Sequence, residues 1–226
     1  MASPGAGRLK MPRLPLVSRR AVTDPLVAHM YDRKFPGRDP ATEPGQTASG
    51  APGNFEAVFA HSPDVLEHLV RGFHLKQTRA RKLPLHYMEL AIARIGWASS
   101  CRWMFSEHIK ILRGLGYTEG ALADLPDWQA SDAFTATERA VLAYADCFAL
   151  DHGRVPDRLF ARLRTAFSDE QIVELTYVAG MFLANAAMIR ALRLEHDDYD
   201  ERVREMPSPP EYRFVDAEPA PLPKRG

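Results

Sequence analysis

The sequence predicts an all-α domain, and three observations carry that prediction. From Asn54 onward, apolar residues recur at three-and-four spacing, the period of a helix with one buried face. No segment alternates convincingly with a period of two, so no strand is expected. Cap and stop residues, among them Asp24 before Pro25, Ser62 before Pro63, Gly114 with Gly116, and Ser168 with Gln171, divide the chain into pieces of helix length.

Asp24 can cap a short helix with Pro25 at its first position, running to about Lys34. Gly37 to Gly53 is rich in Pro, Gly, Ser and Thr and reads as a loop. Phe55, Val58 and Phe59 form one helical stripe, and Val65, Leu66, Leu69 and Val70 another after Ser62 and Pro63. Pro84 opens the next helix, with Leu85, Met88, Ile92 and Ile95 on one face. Ser99 and Ser100 break it, and the chain re-enters a helix at Cys101 that ends at Gly114 and Gly116. Thr118 to Leu125 makes a short helix. Thr137 begins a longer one, with Leu142, Ala145, Phe148 and Ala149 inward, up to a turn at Asp151, His152 and Gly153. Pro156 to Phe167 and Ser168 to about Leu194 complete the set, the last opening on a capping box of Ser168 and Gln171. The expected organisation is a basic, Pro/Gly-containing tail over 1–20, a short helix and loop over 21–52, a helical domain over 53–196, and a Pro-rich C-terminal tail over 197–226.

Composition narrows the function classes. Lysine plus arginine equals aspartate plus glutamate at 29 each, so no whole-molecule attraction to nucleic acid or anionic lipid is expected. The first twenty residues hold Arg8, Lys10, Arg13, Arg19 and Arg20 and no acid, and read as a solvated tail. Cys101 and Cys147 are too few for a disulfide framework, and no tight Cys/His cluster points to a metal. Reduced thiols and a cytoplasmic location are the expectation. Asp24 and Pro25 interrupt any apolar stretch after Arg19 and Arg20, so no export signal is expected. The apolar run from Leu175 to Leu192 contains Thr176, Asn185 and Arg190 and reads as a buried core helix, not a membrane span. Asn185 within it reads as a polar anchor for helix packing, with a pocket role as the alternative.

The segment from Glu89 to His108 draws the chemistry together. Two helices joined by the short break at Ala98, Ser99 and Ser100 fold back as an antiparallel pair. Glu89 and His108 sit about ten residues from the turn on either side, so at ~1.5 Å per residue both lie ~14 Å from the tip and can face each other. A carboxylate beside an imidazole is a usable proton relay. Cys101 is expected in the first turn of the second helix, after a Ser100 cap, where exposed amides and the helix dipole favour thiolate. Cys101, Phe105, His108 and Leu112 share one stripe. On periodicity alone, the plainer reading of that stripe is a core-facing one with a single satisfied histidine.

The pattern Glu89-x11-Cys101-x-Trp103-Met104-x3-His108 resembles the active-site motif of the carboxymuconolactone decarboxylase and alkylhydroperoxidase D-like superfamily. The flanks agree: "NFEAVFAHSPDVLEHLV" before it, then "TATERAVLAYADCFAL" and "FSDEQIVELTYVAGMFLANAAMIRAL" after it, a likeness spanning roughly residues 53–196. The resemblance implies an alkylhydroperoxidase D-like helical bundle with the active-site hairpin at its centre. It also implies assembly as a homo-oligomer, a trimer or hexamer, with the site near subunit contacts. The peroxidase branch uses a Cys-x-x-Cys pair, but here the second position is Met104, whose thioether cannot form the disulfide. Cys101 lies seven residues from His108, ~10 Å along the axis, too far for a direct hydrogen bond. Cys147, by its spacing with Leu142, Tyr144 and Phe148, reads as a core thiol.

The decarboxylase branch needs no cysteine pair and no cofactor. Its resemblance implies acid/base chemistry on a lactone or small organic acid, using His108 and Glu89. Trp103 and Phe105 stand where that branch often has aromatics and would wall a substrate pocket, with Trp97 a third candidate; aromatics at this spacing are equally core. No arginine is clearly placed for a substrate carboxylate: Arg94 and Arg102 flank the turn, and Arg190 is on the last helix. The leading expectation is a cofactor-independent, decarboxylase-like enzyme acting on a small molecule, with His108 as general acid/base, Glu89 orienting it and Cys101 lining the pocket. The alternatives are an alkylhydroperoxidase-type peroxidase using Cys101 with an external thiol, and a non-catalytic helical oligomer.

Overall fold

Capping chemistry sets most helix boundaries. The computed structural model describes residues 12–43, 47, 53–78, 80–194, 203, 205–206, 212–216 and 221–223, and among them there is no strand. The Asp24 carboxylate accepts from the amides of Leu26 and Val27 and starts α1 (Pro25–Lys34). After α2 (Asn54–Phe59), Pro63 opens α3 (Pro63–Gln77) with its preset φ, and the Ser62 side chain makes no cap bond. The break after α4 (Leu85–Ala98) falls where expected, and α5 (Arg102–Gly114) follows. The short helix after Thr118 stops at Asp124 as α6 (Glu119–Asp124) and continues as a 3-10 turn over Leu125–Ala130. The next helix, α7 (Ala136–Asp151), starts ahead of Thr137, because Thr135 and Glu138 form a capping box that the apolar spacing did not reveal. After α8 (Asp157–Ala166), the expected box of Ser168 and Gln171 opens α9 (Asp169–Leu192).

Helix α4 is the axis of the bundle. The expectation was one apolar face, but Met88, Leu90, Ala91, Ile92, Ala93 and Ile95 are all fully buried, because α5, α7 and α9 pack around it. Gly96 permits the closest approach: a Cβ there would lie 2.6 Å from the Phe105 backbone nitrogen. Helix α9 runs alongside α4, tied at both ends. The Glu174 carboxylate accepts from the amides of Lys82 and Leu83, and the Arg190 guanidinium donates to the Ser100 carbonyl. Long and apolar enough to cross a membrane by composition, α9 here buries one face against the bundle and leaves Val173 exposed on the other.

Arg94 was expected to flank the turn. The structure buries it beneath the 3-10 turn instead. Its Nε and Nη2 meet the Asp146 carboxylate at 2.5 and 3.1 Å, and Nη1 donates to the Pro126 carbonyl at 2.6 Å. Trp128 donates to the same carboxylate at 3.0 Å.

Both terminal segments depart from the expected tails. Arg19 is no solvated charge, since it donates to the Asp32 carboxylate and to the carbonyls of Tyr31, Phe35 and Arg38. The Arg13 and Val17 amides donate to the carbonyls of Leu192 and Ala57, while Arg8 and Lys10 lie outside the described residues. In the C-terminal segment, the Met206 amide donates to Ser106 Oγ, Glu205 pairs with Arg113, and Asp216 pairs with Arg81. The described part of that segment therefore lies on α5 and the connection between α3 and α4. Much of the expected 37–53 loop lies outside the described residues.

Two stability outcomes are expected. Asp146→Ala strands a buried guanidinium and costs about 3–5 kcal/mol in urea unfolding. Gly96→Ala forces α4 and α5 apart and costs about 1–3 kcal/mol in the same measurement.

Candidate active site

The hairpin places its two central ionisable side chains in contact. At the break, Ser100 adopts a left-handed φ of 54°, and the Cys101 amide donates to the Gly96 carbonyl at 2.7 Å. Together with the close packing of Gly96 on Phe105, this locks α5 antiparallel to α4. Glu89 Oε2 and His108 Nδ1 then meet at 2.5 Å, with both side chains almost fully buried. A third helix completes the group. Lys76, in the last turn of α3, donates from Nζ to Glu89 Oε1 at 2.7 Å and is itself 7% exposed. The result is a buried chain of ammonium, carboxylate and imidazole drawn from α3, α4 and α5.

The electrostatics follow from that order. Burial alone would raise the Glu89 carboxyl, but the charge and hydrogen bonds of Lys76 and His108 outweigh it and hold the group ionised. Burial pushes His108 below its ordinary value, with Lys76 acting in the same direction and Glu89 opposing both. The imidazole is therefore neutral at pH 7. An ionised carboxylate at Nδ1 accepts that nitrogen's proton in a hydrogen bond, which leaves Nε2 as the proton-accepting position.

An aromatic wall extends from the ring. Phe182 of α9 meets His108 edge-on at 5.1 Å, with the Lys76 ammonium 5.7 Å from the Phe182 centroid. Phe73 packs on Phe182 at 5.7 Å, Phe55 on Phe73 at 6.1 Å, and Trp103 stacks on Phe55 at 5.5 Å. Of the three aromatics expected to wall a pocket, Trp103 belongs to this series. Phe105 is buried where its backbone meets Gly96, and Trp97 stacks with the Arg94 guanidinium at 4.6 Å. Neither contact involves Glu89 or His108.

The cysteines fall differently from expectation. Cys101 is itself the N-cap of α5, with Ser100 in the turn before it, and it is fully buried. Cys147 is half-buried near the end of α7, its thiol raised by burial and by Asp146 and Asp151. Neither forms a disulfide. Met104, one turn before His108, is fully buried. Among the described residues, no three His, Cys, Asp or Glu side chains gather as a metal-ligand set.

Lys76 was missed from sequence, because a lysine near a helix end reads as solvated. A signal was present: Lys76 continues the buried stripe of Leu66, Leu69 and Phe73 at three-and-four spacing. Phe182 lay within an apolar run that offered no reason to single it out.

Residues 63–146, which contain this hairpin, match the sequence model of the Carboxymuconolactone decarboxylase family. The helical domain is similar to the carboxymuconolactone decarboxylase and alkylhydroperoxidase D-like proteins, in sequence over that segment and in fold beyond it. A protein of unknown function from Agrobacterium tumefaciens is 25% identical, with a TM-score of 0.57 over 62% of this chain and 96% of that one. An alkylhydroperoxidase AhpD core, a peroxidase-related protein from Ralstonia eutropha, superposes with a TM-score of 0.65 at 18% identity over 84% of this chain and 94% of that one. The debrominase Bmp8 in complex with 2,3,4-tribromopyrrole gives a TM-score of 0.58 at 16% identity over 77% of this chain and 84% of that one, a likeness of fold. The uncharacterized protein YdfG of Bacillus subtilis is 28% identical over 104 residues, 46% of this chain and 71% of that protein. Lys76, Glu89 and His108 all lie within the matched segment.

The relay predicts a pH signature. His108 sits below 6.5 when folded, so the unfolded chain binds the proton first and stability falls as pH drops below about 6.5. Glu89 sits below its ordinary 4.5, so its stabilising effect is full above that pH and is lost as pH falls further. Urea unfolding across pH 3–8 is expected to show both limbs, and His108→Gln to lose the upper one. Nitrogen-15 NMR is expected to find the ring neutral at pH 7 with its proton on Nδ1.

Proposed function

We propose that the chain is a cofactor-independent acid/base enzyme of the carboxymuconolactone decarboxylase type, moving a proton on a small lactone or related organic acid. One observation carries this reading: the Lys76–Glu89–His108 chain holds a neutral imidazole with its tautomer set by an ionised carboxylate. His108 Nε2 takes a proton from carbon next to the substrate carbonyl, and the electron pair of that C–H bond becomes an enolate. The imidazolium formed is stabilised by Glu89, and the same nitrogen returns the proton to carbon. Glu89 and Lys76 are positioning residues that act through the ring. The aromatic series from Trp103 to Phe182 suits a small flat ring.

The thiol reading retains one supporting observation. Cys101 caps α5, where the helix N-terminus favours thiolate, and the fold is shared with a peroxidase-related protein and a debrominase. Against it stand the complete burial of Cys101 and the absence of a second thiol at Met104.

Deuterium exchange from heavy water into a panel of small lactones tests the proposal. His108→Gln is expected to slow exchange by ~100-fold or more, and Cys101→Ser to leave it at the wild-type level. Exchange lost in Cys101→Ser and kept in His108→Gln, with hydroperoxide consumed in the presence of dithiothreitol, would move the chain to the thiol reading. Lys76→Met removes a charge that opposes the imidazolium, so the acid limb of the exchange rate should move to higher pH. An unmoved limb would leave Lys76 with no role in the relay.

A further inference from the structure

Asn185 is the one polar residue on the buried face of α9, and it is 1% exposed. The expected packing anchor would bond to a neighbouring helix. Instead, neither its Oδ1 nor its Nδ2 has a hydrogen-bond partner among the described residues. A buried amide left this way costs free energy that an apolar residue of the same shape would not, so as a packing device alone it is a poor choice.

Its place on α9 suggests what it serves. Phe182, three residues earlier, holds the edge-on contact with His108 and lies beneath Lys76. Met181 and Tyr177, four and eight residues earlier, meet α3 at Gly72. Residues three and four apart are neighbours on a helix, so Asn185 continues this face by one turn, ~5.4 Å further along. Five residues beyond it, Arg190 bonds the Ser100 carbonyl at the hairpin tip, next to Cys101. By helical phase the amide thus lies between the positions of Met181 and Phe182, at a level between the His108 contact and the Cys101 cap.

Charge narrows the ligand. Lys76 and Glu89 cancel, and His108 is neutral, so these side chains hold no unshared cation for a carboxylate. An amide offers one kind of donor and one acceptor, the match for an uncharged carbonyl compound; a carboxylate desolvated here would be poorly compensated.

We infer that Asn185 is the substrate-orienting residue of this site, donating from Nδ2 to the carbonyl oxygen of a neutral lactone in preference to its ring-opened acid. The substrate class rests on the proton-transfer reading above; the binding role of Asn185 does not.

Binding to the full chain separates the two. With γ-butyrolactone and 4-hydroxybutyrate as probes, calorimetry is expected to show the lactone binding at least about tenfold more tightly than the acid. In NMR, the lactone is expected to shift the side-chain amide resonances of Asn185. Asn185→Leu should keep or raise Tm and weaken lactone binding by about tenfold or more. A lower Tm in Asn185→Leu with unchanged lactone affinity would make the residue an anchor, directly or through bound water, and overturn the inference. Tighter binding of 4-hydroxybutyrate would overturn it equally. If Asn185→Leu does not fold, the wild-type amide resonances decide, and resonances unmoved at saturating lactone overturn it. Failure of deuterium exchange with Asn185-dependent lactone binding intact would sink the proton-transfer reading alone.

Discussion

A carboxylate buried in the middle of a helical bundle is the constraint around which this domain is arranged. Glu89 is 1% exposed on the most enclosed helix of the fold. Left alone there, it would have to bind a proton or unfold its surroundings. Two partners keep it ionised, and they come from different helices, so α3, α4 and α5 must converge at one depth. That convergence accounts for features some distance away. The chain reverses through a left-handed Ser100, and Gly96 lets α5 approach α4 closely enough for a glutamate and a histidine to meet. Replacing such a group with apolar residues is often neutral or stabilising, so the relay is poorly explained as a stability device.

Helix α4 carries a second buried ion pair, and the contrast is instructive. Arg94 lies five residues beyond Glu89, hence rotated well around the helix, and it faces α7 and the 3-10 turn. Two of its nitrogens are committed to Asp146 and the third to carbonyls, and Trp97 stacks on it. Every nitrogen is engaged by protein, so the arrangement fastens the turn. In the relay, by contrast, the terminal member is an imidazole with one nitrogen committed and the other suited to proton exchange. Similar burial on the same helix thus produces a clasp on one side and a candidate site on the other.

What could be read from sequence follows what is local. Helix positions were legible because caps and periodicity act within a few residues, as with Asp24, Ser168 and the break at Ser99 and Ser100. The facing of Glu89 and His108 was legible because an antiparallel hairpin converts sequence symmetry into spatial proximity. Lys76 was not, since its partner is on another helix and a lysine's usual environment is water; only its phase with Leu69 and Phe73 hinted otherwise. The aromatic wall was half legible. Trp103 lay within the motif, but Phe55, Phe73 and Phe182 are joined by tertiary packing alone. Trp97 and Phe105 had suitable spacing, yet Arg94 and Gly96 claimed them. The cap of α5 was off by one residue, because Ser100's left-handed turn passes that role to Cys101.

The substitution that sets this chain apart from a two-thiol enzyme also shapes what the relay can do. Met104 lies one turn before His108 on the buried side of α5, and its thioether has no acidic proton to give. A ring that would otherwise draw a proton from a neighbouring thiol must look to a ligand. Taking a proton from a neutral ligand creates an imidazolium and an enolate side by side, with no change in net charge. A low-polarity site tolerates such a charge pair far better than it tolerates the entry of a net anion, because attraction at short range offsets lost solvation. The Lys76–Glu89 pair holds the polarity of that event fixed: the carboxylate faces the imidazolium on one side, and the ammonium keeps the carboxylate from taking the proton itself. An apolar wall, a neutral amide and a self-compensated relay together favour an uncharged substrate, and this links the packing of five helices to the chemistry proposed at their meeting point.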